Sequence, residues 1–246
     1  DPAPASPPTL GDRIRIGREA IDQGEWGEAQ DHIVAAAEQL LARPPRDNTP
    51  GPLRLVSASL NQIGGHLEVK GDARGASHCY GLAVELRRAS LRLSGSGATR
   101  HRELRELLVS LNLLGDSKWS LGEPQVATQM YAEALALARK IFHQGQPTAR
   151  TIADLLTTAV KLGDARRMAG SHEDATSAYE EAAVGLRQTF SGQRPDVEML
   201  RLAVLVLGRL AESQRSQGDL RAAMTTYRER SRYEARLSLA LATGTA

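Results

Sequence analysis

Aromatic side chains make up only 4% of this 246-residue chain, and there is a single cysteine. Scarce aromatics beside abundant Ala, Leu, Arg and Glu argue against a sheet protein, whose strands draw on β-branched and aromatic residues, and for helices. Cys79 cannot form an internal disulfide and suits a reducing compartment, so a cytoplasmic location is expected. No apolar run approaches the ~18 residues of a membrane span. Charge of one sign is lacking too: 31 basic residues stand against 29 acidic ones. No long-range field therefore draws nucleic acid or an anionic membrane, and neither is expected as a partner. The chain opens on Asp-Pro and shows no basic-then-apolar leader, which reads as a segment of something longer or a processed product.

Motifs that carry chemistry are missing as well. The six histidines, at 32, 66, 78, 101, 143 and 172, form no H-E-x-x-H, and one cysteine cannot build a thiolate zinc site. There is no G-x-S-x-G and no phosphate-binding P-loop, and the glycines at 95 and 97 follow no strand. Cys79 adjoins Tyr80 and reads as a partly buried, unreactive thiol. No catalytic site, metal or cofactor is expected, and the chain does not read as an enzyme.

What is present is repetition. "SLNQIGG" at 59–65 returns as "SLNLLGD" at 110–116. Anchored on Gly71, counterparts stand at Gly24, Gly122, Gly170 and Gly218, spaced by 47, 51, 48 and 48 residues. Five residues after each comes an alanine: Ala29, Ala76, Ala127, Ala175 and Ala223. Four further on is a large residue, Ile33, Tyr80, Tyr131, Tyr179 or Tyr227, and three beyond that Ala36, Ala83, Ala134, Ala182 or, breaking the pattern, Arg230. Seven before the anchor stand Gly17, Gly64, Gly115, Gly163 and, in the fifth copy, Ala211. Five copies in one register are an architecture.

Each copy reads as two helices. Leu107, Leu108, Leu111 and Leu114 give the first its helical spacing, and the anchor glycine ends it. Small residues at the first glycine and the alanine let two backbones approach, with the tyrosine filling the space beside them. The second helix ends at punctuation, "RPPRDNTPGP" at 43–52, "SGSGAT" at 94–99, "QGQPT" at 144–148 and "SGQRPD" at 191–196. The repeats span approximately 10–43, 52–93, 98–144, 147–190 and 195–243, in a single domain over 10–246 after a Pro/Ala-rich linker at 1–9. No pair can bury its apolar face alone, so the pairs must stack.

These motifs resemble the tetratricopeptide repeat. Ile63-Gly64-x2-Leu67 with Ala76-x3-Tyr80, Leu114-Gly115 with Ala127-x3-Tyr131, and Leu162-Gly163 with Ala175-x3-Tyr179 follow its L-G-x2-Y and A-x3-F pattern. The copies are longer than the usual ~34 residues, as in the long-repeat branch typified by kinesin light chain and by repeat modules of large bacterial regulatory proteins. Lys118, Arg166 and Gln214 replace the aromatic after the first glycine. The resemblance implies an all-α, right-handed solenoid of about five helix-turn-helix repeats, about ten helices in all.

It also implies that the first helices line a concave face that grips a partner segment. Long-repeat relatives place there, three residues before the first glycine, an asparagine that hydrogen-bonds a bound peptide. Asn61 and Asn112 hold that position, whereas Val160 and Gly208 do not. An amide offers donor and acceptor to a peptide unit, and equally to its own stack. The same helical phase adds Glu68, Asp116, Trp119, Asp164, Arg167, Glu212 and Arg215, with Gly65 among them and Lys161 and Arg209 adjoining. Arg167, Arg209 and Arg215 would favour a partner acidic toward repeats four and five; an ordinary solvated face with local ion pairs fits them as well. Trp119 reads as an interface anchor or as core between repeats, and Trp26 as packed locally. The expected function is a non-catalytic interaction scaffold for a peptide or protein segment. The alternative is a regulatory or sensor module controlling an effector enzyme attached outside this chain. The apolar "LSLALATG" end would also permit self-association.

Overall fold

The structure, a computed structural model, describes residues 7–144, 148–190 and 195–243. Residues 1–6 of the expected linker, parts of the punctuation at 144–148 and 191–196, and the last three residues of the chain lie outside the described residues. Ten α-helices follow one another, with no strand among the described residues. In chain order they are α1 (Leu10–Gln23) and α2 (Trp26–Ala42), α3 (Pro50–Val69) and α4 (Ala73–Leu93), α5 (Ala98–Ser120) and α6 (Pro124–Gln144), α7 (Ala149–Met168) and α8 (His172–Phe190), and α9 (Val197–Ser216) and α10 (Leu220–Thr243), five successive pairs along the sequence. A 3-10 turn, Pro45–Asp47, lies between α2 and α3. The all-α helix-turn-helix organisation expected from the register is therefore present.

Local chemistry sets these ends. All five anchor glycines adopt left-handed φ between 75° and 84°, a conformation open to glycine without a Cβ clash. At Gly71 the reversal is closed by Gly71 N–H donating to the Glu68 carbonyl and Asp72 N–H to that of Leu67, both at 2.9 Å. Asp72 then caps the next helix by accepting from Gly75 N–H at 2.9 Å, and Asp219 accepts from Ala222 N–H at 3.0 Å. One turn thus ends a helix and begins its partner. Thr9 and Thr148 open α1 and α7 with capping boxes, and Asp196 caps α9.

The chain separates into two compact units, Asp1–Glu123 and Pro124–Ala246, with the third pair divided between them at the α5–α6 turn. In the first unit α1, α3 and α5 pack in series as one layer, and α2 and α4 as a second. In the second unit α7 packs on α9, while α8 packs between them and α10 closes against α9. The repeat alanines Ala29, Ala76, Ala127, Ala175 and Ala223 are all buried. So are Ile33, Tyr80, Tyr131 and Tyr179, whereas Tyr227 in the fifth repeat is half-buried.

The first glycine of the repeat has a specific reason. A β-carbon at Gly64 would lie 2.5 Å from Tyr80 Cε1, and one at Gly17 would lie 2.7 Å from Ile33 Cγ1. The Tyr179 ring lies across Gly163 in the same way. In the fifth repeat Ala211 replaces the glycine, and its tyrosine is the one left half-buried. That repeat makes a second exchange. Arg230 takes the place of an alanine, and its guanidinium lies 3.6 Å from where a β-carbon of Gly208 would stand, so a small residue moves from one helix to the other. Trp26 does not pack locally as expected: its ring stacks on His66 of α3 in the next repeat, with centroids 4.3 Å apart and planes 9° from parallel.

Candidate functional site

Because the tyrosine ring lies against the glycine, its hydroxyl reaches the first helix and meets a carboxylate there. Tyr80 OH donates to Glu68 at 3.0 Å, and Tyr179 OH donates to Asp164 at 2.6 Å. Burial, then the neighbouring carboxylate, pushes both hydroxyls well above the ordinary tyrosine range. The residue that packs the repeat thus also fixes a charged group on the first-helix face.

In the first unit, Glu68 is exposed and Asn61, Asn112, Asp116 and Trp119 are half-buried. Asn61 Nδ2 donates to Ser110 Oγ on α5 at 2.9 Å, and Ser110 in turn donates to the Glu106 carbonyl at 3.2 Å. The Asn61 amide therefore ties α3 to α5, with its Oδ1 buried and lacking a hydrogen-bond partner.

In the second unit, several of the predicted residues come together. Asp164 accepts from Tyr179 OH and pairs with Arg209 at 3.0 Å, and Arg209 lies 3.9 Å from Glu212. Arg167 lies near the Tyr179 hydroxyl, partly offsetting the upward push from Asp164, and is exposed. Lys161 Nζ sits over the Tyr131 ring, 5.9 Å from its centroid. Arg215 is exposed and takes no part in this group. Elsewhere in this unit, a buried Thr176–Ser213 hydroxyl contact of 2.6 Å, joined by Gln217 donating to Thr176 at 2.8 Å, ties α8 to α9.

A further charged cluster in the first unit escaped the sequence reading. Arg54 of α3 lies 3.3 Å from the fully buried Glu103 of α5, and the buried Arg87 of α4 donates to Glu106 of α5 at 3.2 Å. These partners are 49 and 19 residues apart. The available signals are that Arg54 recurs in register as Arg105 and Arg201, and that Arg87 stands seven residues after Tyr80 on a helix side otherwise buried. Cys79 is fully buried, and burial with the nearby Asp72 pushes its thiol up to about 11. Among the described residues no three His, Cys, Asp or Glu side chains group as metal ligands, and no helix is long and apolar enough to cross a membrane.

No protein-family model matches the chain, and no curated protein matches its sequence. Solved structures do resemble it. BtubC (BKLC) from P. vanneervenii superposes with a TM-score of 0.60 at 16% identity, over 93% of this chain and 81% of that one. A kinesin light chain-like protein of nearly identical TPR-like repeats from Podosopora anserina gives 0.58 at 15% identity, over 93% and 96%. The apo form of RapI gives 0.57 at 8% identity, over 92% of this chain and 54% of its own. The chain has the TPR-like helical-repeat fold that its five-fold register pointed to.

Proposed function

We propose, on the premise of a TPR-like helical-repeat fold, that this chain is a non-catalytic scaffold that binds a peptide or protein segment along its first helices. The observation that carries this reading is the relay Tyr179–Asp164–Arg209 in the second unit. A buried hydroxyl orients a carboxylate, which orients a guanidinium that remains 36% exposed. A cation held in this way meets a partner carboxylate with little loss of side-chain freedom. Arg167 and Arg215, exposed on the same two helices, extend the preference to an acidic segment. In the first unit the partner's backbone would compete with Ser110 for the Asn61 amide, with Asn112, Asp116 and Trp119 on the same helix as Ser110.

Capture from native lysate tests the reading, using wild type, an Arg167→Glu/Arg209→Glu/Arg215→Glu variant and an Asn61→Ala/Asn112→Ala variant. Unchanged helicity and melting are established first. A partner held by wild type and lost by the arginine variant supports an acidic segment on α7 and α9. A partner held equally by all three places binding on another surface and removes these residues from it.

A further inference from the structure

An open cavity of about 670 Å³ in the first unit lies apart from the expected partner-binding residues. Its volume falls in the range of small-molecule sites. Ile14, Pro52, Leu55 and Ala58 give it an apolar wall. Arg54, Arg87, Arg102 and Glu106 give it a charged one.

The charged wall is built from behind. Arg54 is fixed by its Nε, which donates to the Pro50 carbonyl at 3.1 Å and lies 3.3 Å from Glu103. Arg87, only 3% exposed, is fixed by its 3.2 Å bond to Glu106. Its Nε is buried without a hydrogen-bond partner, and burial holds its pKa below the ordinary arginine value despite Glu106 and Glu103. One buried donor of this guanidinium is thus left unmet by the protein. Arg102 is exposed at the rim and makes no ion pair among the described residues. Three guanidiniums face two carboxylates, which leaves a surplus of one positive charge beside an apolar wall.

We infer that this cavity binds a small organic monoanion, with a carboxylate head on Arg102 and the cavity-lining edges of Arg54 and Arg87, and an apolar body against Ile14, Pro52, Leu55 and Ala58. A bidentate guanidinium–carboxylate contact supplies the orientation, and the apolar wall supplies burial. The single surplus charge favours a monoanion over a dianion. The inference does not depend on the partner-binding proposal, because none of that proposal's residues lines the cavity.

The test titrates the full chain with benzoate, phenyl phosphate and benzyl alcohol by calorimetry and by melting temperature. Benzoate is expected to bind and raise the melting temperature, phenyl phosphate to bind more weakly, and benzyl alcohol not to bind. Arg102→Ala, an exposed position whose loss leaves the fold intact, is expected to weaken benzoate by about tenfold or more, since a charged hydrogen bond contributes roughly 1.5–3 kcal/mol. Arg139→Ala, a change to an exposed arginine of the second unit, is expected to leave it unaltered. Four results each overturn the inference: no benzoate binding up to about 10 mM, a level corresponding to only ~3 kcal/mol; equal binding of benzyl alcohol; tighter binding of phenyl phosphate; or full affinity in Arg102→Ala.

Discussion

Gly64 of α3 lies beneath the ring of Tyr80 of α4, so close that a β-carbon on the glycine would stand 2.5 Å from Cε1. Gly81, on the same helix as that tyrosine, has open space where its β-carbon would be. One substitution therefore has opposite signs at the two sites. Gly64→Ala is expected to destabilise by about 1–3 kcal/mol through overpacking. Gly81→Ala is expected to stabilise by roughly 0.4–1 kcal/mol by restricting the unfolded chain within a helix. Denaturant midpoints of the two variants against wild type check both, and equal signs would remove the packing explanation.

The Cys79 thiol, pushed up to about 11 by burial, is neutral in the folded chain at ordinary pH. Only thiolate attacks a thiol reagent. Labelling with an aromatic disulfide at pH 8 is expected to follow unfolding: slow in buffer, complete within minutes in denaturant. Stoichiometric labelling of the native chain, with its circular dichroism unchanged, would contradict the burial of this side chain.

The same group makes stability depend on pH. Unfolded, the thiol loses its proton near 9; folded, it keeps it to about 11. Between these values the folded state binds the extra proton, so stability is complete below about pH 9 and falls as pH rises, by at most ~1.4 kcal/mol per pH unit for one group. Tyr80 and Tyr179, raised for the same physical reason, add to the fall above their own unfolded range. Urea midpoints measured from pH 7 to 11 should be flat and then decline. Cys79→Ala should flatten the first part of the decline and leave the tyrosine part in place.

Two carboxylates separate buried from surface pairing. Glu103 has no exposed surface and faces Arg54, while Glu181 is 30% exposed and makes a bidentate pair with Arg139, itself 50% exposed. Removing Arg54 leaves the fully buried Glu103 carboxylate without its cation, so Arg54→Ala is expected to cost about 3–5 kcal/mol. Glu181→Ala is expected to cost no more than about 1 kcal/mol, and less as salt is added. Denaturant unfolding at low and high salt distinguishes them; equal losses would show that the burial of Glu103 carries no energetic weight.

The fold was legible because its determinants are local or strictly periodic. The glycine at Gly71, the alanine five residues on and Tyr80 four beyond that act within one hairpin, and each recurs in register. The candidate site was less so. Helical phase gives Asp164, and Arg209 only adjoins the residues in that phase; their pairing across 45 residues, and the Tyr179 hydroxyl behind it, depend on side-chain directions that phase does not give. Asn61 was picked for its amide, whose donor the structure commits to Ser110. Arg87 and Glu103 carry no repeat signature, because the other copies place Leu40, Ala138 and Leu186, or Pro52, Thr151 and Met199, at their positions, and although Arg54 recurs in register as Arg105 and Arg201, phase alone does not show that it faces a buried carboxylate. Trp26 was misplaced because its partner, His66, lies in the next hairpin.

In the turns between paired helices the residue that stops one helix is followed at once by the residue that starts the next. From the first small residue to the anchor glycine, the alanine and the large side chain, intervals of seven, five and four residues hold in all five copies, although whole copies differ between 47 and 51 residues. All variation in length therefore falls outside the hairpin tip. A residue inserted between Lys70 and Asp72 would break the hydrogen bonds that close the turn, shift α4 against α3 and pull Tyr80 off Gly64. The same insertion between Ser94 and Gly97 shifts no hairpin internally. The chain is thus spliceable at its seams and intolerant at its tips, and a foreign loop or a whole additional copy belongs at 94–97.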